Sequence, residues 1–356
     1  MCTSVTVLLI LVFLIASSTA APLPAKAEHK TVVVPDDYST IAAAIGNATD
    51  GDTILVKKGI YEEQTLTINK TISLIGEDAS DAIINLHPQL VPTGGFHLGG
   101  GGIEPDYGWD NPIKIEANHS RILGFTINSS EGSIRVSGFG NTVSYSNIIT
   151  GMALENSGQN IIGNSVEGTI LCNGENHTIA DNNLFHLYVL ASRMMITNNT
   201  ISGYHGGIQM GAYGNTIFNN TIVNCGGALT FWMDAADNLI YGNNFVNSSV
   251  YQVKIDETSN PSMGRWDNGI IGNYWSDYSK KYPNASEIDN SGIGDTPYTI
   301  DGSNKDNFPL LMPYGTIPLP TPSPEPTPTP LLIGSLIVVA VVVGIGLLVY
   351  LKKRKR

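Results

Sequence analysis

Asn147-Ile-Ile149, Asn164-Ser-Val166, Asn183-Leu-Phe185, Asn199-Thr-Ile201, Asn220-Thr-Ile222, Asn244-Phe-Val246 and Asn273-Tyr-Trp275 repeat one phrase along the second half of the chain. An apolar residue stands two places after the Asn each time. In four copies another Asn comes just before, at Asn182, Asn198, Asn219 and Asn243. The gaps between copies are 17, 19, 16, 21, 24 and 29 residues. An uneven period of that size marks stacked coils, each too small to bury its own apolar face. Side chains alternate along a strand, so the Asn and the residue two places on share a side. The later residue is apolar, which predicts that both point inward. Each Asn then finds partners for its carbonyl and amide one coil above and below. A leucine-rich repeat has a similar period, but its Leu spacing is absent and Ile, Val and Thr dominate.

Second apolar stretches run between the phrases, at Ala153-Leu154, Ile170-Leu171, Leu187 to Leu190, Ile208 to Met210, Leu229 to Met233 and Val250 to Ile255. Each coil therefore has at least two strands. Upstream, Thr31 to Val34 reads as a strand. Ile41, Ala44, Ile45 and Ala48 fall at helical spacing, and Asp37 or Ser39 is placed to cap the helix. One short helix ahead of a row of strands predicts a plug for the open end of the stack. Residues 86–112 break the rhythm with many Gly and Pro. They read as a long loop, with Trp109 lying on the stack; long loops on compact scaffolds are functional or disordered.

Charged residues make up 14% and Gly numbers 38, which suits short strands and tight turns rather than a helical bundle. The formal net charge is −12, and five of the 19 basic residues sit in 352–356. The rest of the chain is thus more acidic still, which argues against nucleic acid as a partner. Residues 1–27 read as a signal peptide. Val5 to Ile15 is apolar apart from Thr6, and small residues follow at Ser18 to Ala21. The basic start is missing, so an uncleaved anchor remains the alternative. Leu331 to Leu351 is apolar without a charge, long enough for ~30 Å of hydrocarbon. The basic tail 352–356 then predicts a single-pass membrane protein with its body outside. Before the span, 315–330 carries alternating Pro from Pro318 to Pro330, a stiff extended stalk. The ectodomain covers 31–314. Cys172 and Cys225 fall about three coils apart and are expected as free thiols. Nine sequons lie outside the membrane: Asn47, Asn69, Asn118, Asn128, Asn176, Asn198, Asn219, Asn247 and Asn284.

The opening, Tyr38-Ser-Thr-Ile-Ala-Ala-Ala-Ile45 through Ile72-Ser-Leu-Ile-Gly76, resembles the start of pectin-lyase-like right-handed parallel β-helices. The middle resembles the carbohydrate-binding and sugar-hydrolase (CASH) repeat. The closing block is the most specific part: Gly272-Asn-Tyr-Trp-Ser-Asp-Tyr278, Gly292-Ile-Gly-Asp-Thr-Pro-Tyr298, Asp301-Gly and Asp306-Asn-Phe-Pro-Leu310. It resembles that of the NosD-type family found on prokaryotic cell surfaces. The resemblance implies an all-β right-handed parallel β-helix with a short N-terminal capping helix. To this the sequence adds one C-terminal transmembrane helix.

A β-helix hydrolase needs carboxylates a few ångström apart, and a lyase needs Ca²⁺ and a basic residue. The hydrolase family's clustered Asp and Arg motifs are not found here at matching positions. The candidates for such chemistry are Asp234, Asp237, Asp256, Arg265 and Asp267. Trp232, Trp266, His205 and Trp109 are candidates for holding a sugar ring by stacking. The same carboxylates also fit a solvated coil edge. Asp289 and Asp295 flank Gly292 and Gly294 in the manner of a Ca²⁺ loop, or of a Gly-rich turn capped by its own side chains. The family name implies copper. Met210 and Met233 each precede an Asn by five residues and are expected in one column, where they read as core packing, with copper binding the alternative. The expected function is binding or structural at the cell surface, toward glycans or other envelope proteins, without catalysis. A polysaccharide lyase or glycoside hydrolase acting on acidic glycans is the second reading, and copper binding or maturation the third.

Overall fold

The computed structural model describes residues 28–99, 102–204, 206–233, 235–256 and 264–316. The expected signal peptide, transmembrane span and basic tail lie outside them, as do all but the first two residues of the stalk. Among the described residues no helix is long and apolar enough to cross a membrane.

The chain winds into a parallel β-solenoid with three faces. The first face is an eleven-stranded sheet, running from Thr31–Val34 to Gly264–Arg265. The other two are joined in a seventeen-stranded sheet, because Ser165–Cys172 and Asn183–Val189 turn the corner between them without a break. The second face runs from Gly59–Glu63 to Tyr274–Trp275, and the third from Leu66–Ile68 to Tyr251–Ile255. Each coil thus contributes three strands, one more than the minimum the apolar stretches required. Ile54, Leu74, Ile122, Val143, Ile161, Ile179, Ile196, Ile217 and Ile240 form one buried inward column of the first face.

The Asn ladder lies at the corner between the first and second faces. Its rungs are Ser146, Asn164, Asn182, Asn199, Asn220, Asn243 and Asn273, all buried. From Asn164 on, each backbone N–H donates to Oδ1 of the next rung at 2.8–3.1 Å. Each Asn amide also donates back to a first-face carbonyl, as Asn220 does to Ile196 at 2.8 Å. Three phrases are therefore shifted by one residue from the expected phase. Asn147 and Asn183 face outward, and Asn244 lies outside the ladder under Tyr314, with which it exchanges two hydrogen bonds. The shift arises because two apolar residues in a row follow each of these Asn residues, as Leu184 and Phe185 do. A spacing of two then fits either phase.

The backbone decides the phase. The residue before each of six rungs is left-handed: Tyr145, Gly163, Asp181, Asn198, Asn219 and Gly242. A left-handed residue followed by an inward amide is the actual corner unit. The corner between the third and first faces uses it again. There Asn141, Gln159, His177, Asn215 and Asn238 follow left-handed Gly140, Gly158, Asn176, Gly214 and Asp237. Asn141 Oδ1 accepts the Ser120 N–H, Gln159 Oε1 that of Asn141, and His177 Nδ1 that of Gln159.

Both ends are closed. The helix Ile41–Asn47 packs Ile41, Ala44 and Ile45 onto the first coil as predicted, although Thr40 caps it, accepting the Ala43 N–H. Buried Glu63 accepts the Ile41 N–H at 2.6 Å. At the other end Phe245, Trp275 and Tyr298 stack at 4.5 and 4.1 Å, and Lys281 Nζ lies 4.0 Å over Tyr298. Asp306 ends the ladder. One carboxylate oxygen accepts the Asn273 N–H at 2.7 Å and the Trp275 indole at 2.9 Å; the other accepts the Phe308 N–H at 3.0 Å. Gly272 leaves room for it, since a Cβ there would overlap the Asp306 carboxylate.

Residues 90–99 and 102–109 are not irregular loop. Leu90–Gly99 and Gly102–Trp109 form an antiparallel hairpin between the second and third faces, with Leu90 opposite Trp109. Its Pro residues read as breakers, yet an isolated hairpin tolerates Pro where no ladder bond is needed. Cys172 and Cys225 are free and buried. Seven of the nine sequon Asn are exposed, while Asn128 and Asn219 are half-buried and donate their amides to Asn85 and Asn198.

Replacing Asn220 by Leu strands the Asn199 N–H and is expected to cost about 1–3 kcal/mol in a urea titration. Asn183→Leu, on the outside, is expected to change stability by no more than about 0.5 kcal/mol. Equal losses would refute this phase of the ladder.

The two ladders also predict opposite pH slopes. Burial pushes the Asp306 carboxyl up to about 7, against the pull of its N–H donors. Its folded value lies above the unfolded one of about 3.9, so its contribution is full below pH ~4 and lost as pH rises toward 7. Burial lowers His177, whose Nδ1 accepts and whose Nε2 donates to the Asn173 carbonyl. Its contribution is full above pH ~6.5 and lost as pH falls below it. The Tm advantage of wild type over Asp306→Asn should narrow from pH ~4 to ~7, and that over His177→Gln should narrow on acidification. Gaps that stay constant with pH would show that neither group titrates on unfolding.

Candidate functional site

The structure disperses the residues the sequence grouped. Trp266 is 2% exposed and packs edge-on against Phe231 at 5.8 Å, so it belongs to the core and offers no sugar a surface. Asp237 is a left-handed corner residue before the Asn238 rung. Asp267 ties down the closing block, accepting from the Gly269 and Asn307 backbone and the Asn307 amide. Arg265 pairs with Leu239 on the first face. Trp109 stands 45% exposed at the base of the hairpin. His205 and Asp234 lie outside the described residues. Trp232 and Asp256 are brought together: they leave the third face on successive coils, where the Trp232 N–H donates to Met210 and the Asp256 N–H to Phe231.

Trp232 is part of an aromatic platform that the sequence reading missed. Tyr188, Gln209, Thr230 and Lys254 form one outward column of the third face. The Trp232 indole lies across Gly211, where a Cβ would come within 3.0 Å of the ring. Gly211 thus lets the indole lie against the backbone and meet Tyr188, whose ring centroid is 5.4 Å away with a tilt of 46°. His186 stands 6.4 Å from Tyr188, edge to face. Its Nδ1 is 3.2 Å from the Thr169 hydroxyl, and the Thr230 and Tyr251 hydroxyls are 3.0 Å apart. The Trp232 indole nitrogen has no hydrogen-bond partner among the described residues. The platform therefore offers two half-buried rings and several hydroxyl and amide groups on a flat rigid sheet. The available signal was positional: Tyr188, Gln209 and Thr230 each directly precede an inward residue, at Val189, Met210 and Phe231.

No three His, Cys, Asp or Glu side chains converge on a metal position among the described residues. Met210 is buried opposite Phe231, while Met233 is 53% exposed in a left-handed turn, so the expected Met column does not form. Burial pushes the Cys172 thiol far above its ordinary range, and the Cys225 thiol leans on the Ile201 and Val223 carbonyls. Both His177 nitrogens are engaged in the second ladder. These donors do not fit a copper centre. In the closing block, Asp295 accepts from the Ser286 N–H and the Thr296 hydroxyl, and Glu287 accepts the Gly292 N–H. These bonds are those of a turn capped by its own side chains, and Asp289, the other residue expected to hold Ca²⁺, is an exposed left-handed residue of the same block.

Comparison with solved structures finds the Dettilon tailspike protein (gp208) at 15% identity and a TM-score of 0.47, covering 61% of this chain and 51% of that one. The chain thus matches about half the length of the tailspike. An exopolygalacturonase from Thermotoga maritima is similar at 12% identity and TM-score 0.41, over 57% of this chain and 68% of that one. The pectin methylesterase PemA from Erwinia chrysanthemi is similar at 13% and 0.35, over 63% and 90%. A search of curated protein sequences finds no match. The family model described as periplasmic copper-binding protein (NosD) matches residues 45–280. That match takes in the capping helix from Ile45 on, both ladders up to Asn273 and the whole platform, more than half of the 356 residues, and on it the chain belongs to the NosD family of parallel β-helix proteins.

Proposed function

We propose that this protein binds carbohydrate on the third face of its solenoid, without catalysis, as a module displayed outside the cell. The observation that carries the reading is the Tyr188–Trp232 pair, two rings 5.4 Å apart on a rigid sheet with amide and hydroxyl groups beside them. Aromatic faces take the C–H faces of a sugar ring, and adjacent polar groups take its hydroxyls. Binding is favoured over hydrolysis because, of the candidate carboxylates among the described residues, Asp256 lies beside Trp232 whereas Asp237 and Asp267 serve the scaffold elsewhere. In this reading the signal peptide, Pro-rich stalk, apolar span 331–351 and basic tail anchor the solenoid by one C-terminal helix, with surface glycans or envelope proteins as partners.

Trp232→Ala and Tyr188→Ala are each expected to weaken glycan binding by about tenfold or more, equivalent to about 1.4 kcal/mol, while leaving Tm nearly unchanged. Trp266→Ala is expected to destabilise by about 3–5 kcal/mol instead. A glycan array read with all three variants checks this; platform variants that bind as wild type does would refute the reading.

A further inference from the structure

We infer that the second face carries a separate trench for an uncharged, linear glycan lying along the solenoid axis. Two depressions, of about 460 and 510 Å³, lie end to end on this face beside its corner with the third. The first is bounded by Asn85, Asn128, Ser130 and Ile149, and the second by Ser165, Glu167, Asn183, Phe185 and Thr200. The register makes them one feature. Thr126, Asn147, Ser165, Asn183 and Thr200 are direct neighbours on successive strands. Asn128, Ile149, Glu167, Phe185 and Ser202 run beside them. Six strands at ~4.8 Å give a trench about 24 Å long.

Its chemistry selects the ligand. The floor is short amide and hydroxyl side chains, which both donate and accept as sugar hydroxyls do. Ile149 and Phe185 stay 40% and 37% exposed and supply apolar contact. Among the described residues no Lys or Arg bounds either depression; His87 is paired with Glu62 at 2.6 Å, and Glu167 is exposed. On a chain of net charge −12 this disfavours a polyuronate. An extended peptide is disfavoured as well, because the strand backbones are already paired within the sheet and offer it no edge.

The test uses Trp232→Ala protein, so that the platform does not contribute. Linear glucan, mannan and xylan oligomers of graded length are titrated beside galacturonate oligomers and an extended polar peptide. An uncharged hexamer of at least one type should bind, with its trimer weaker by about tenfold or more. Phe185→Ala and the groove-filling Ser165→Trp should each remove that binding without lowering Tm, and Asn183→Lys should add galacturonate binding. Galacturonate or peptide bound as tightly as the uncharged chains would overturn the inference, as would binding indifferent to Phe185→Ala and Ser165→Trp. If Trp232→Ala alone abolishes all glycan binding, the trench falls and the platform stands. If it changes nothing while Phe185→Ala abolishes binding, the platform falls and the trench stands.

Discussion

A backbone N–H donating to the side-chain oxygen of the next coil is the contact on which the rest of this molecule depends. A solenoid corner bends the chain away from both sheets, so its N–H groups lose their ladder partners while remaining buried. An Asn one coil on restores the partner, and its own amide satisfies a carbonyl of the coil before. The left-handed residue ahead of it aims the side chain inward. Repeated at two corners, the unit holds three flat faces in register without a disulfide. The ladder cannot run on indefinitely, because its last rung has no coil below. Asp306 solves this by offering two acceptor oxygens to three N–H groups.

Committing the corners in this way shapes where function can reside. Asp237 is a corner residue, Trp266 is core and Asp267 is a staple of the closing block. What remains for recognition is the outward side of the strands, where nothing in the ladder constrains residue choice. The third face carries its rings there and the second its amides and hydroxyls. The two surfaces meet at the corner from which the hairpin 90–109 also emerges. Flat parallel sheets hold such groups rigidly, so little conformational entropy is lost on binding.

Much of this could be read from residues alone, and the parts that could not share a cause. The period, the inward apolar columns and the plugging helix follow from local patterns, and the stack enforces them in every coil. The phase of the ladder escaped at Asn147, Asn183 and Asn244 because paired apolar residues make the alternation ambiguous there. The left-handed conformation of Asp181 or Tyr145, which resolves it, is a backbone property that neither residue announces. The hairpin escaped because its pairing is to itself rather than to the repeat.

Residue order was enough to make this chain a parallel solenoid, capped at its start and closed by an Asn- and aromatic-rich block. Repetition multiplies one weak local signal until a single fold satisfies it. Which residues form a surface was settled only in three dimensions. Trp232 and Trp266 look alike in sequence, each beside an Asp or near one, yet one lies across Gly211 in reach of solvent and the other is sealed between Phe231 and Trp275. Tyr188 and Trp232 are 44 positions apart and become neighbours only because two coils separate them in space. Stacking converts sequence distance into a few ångström along the axis, and that conversion depends on every coil length between.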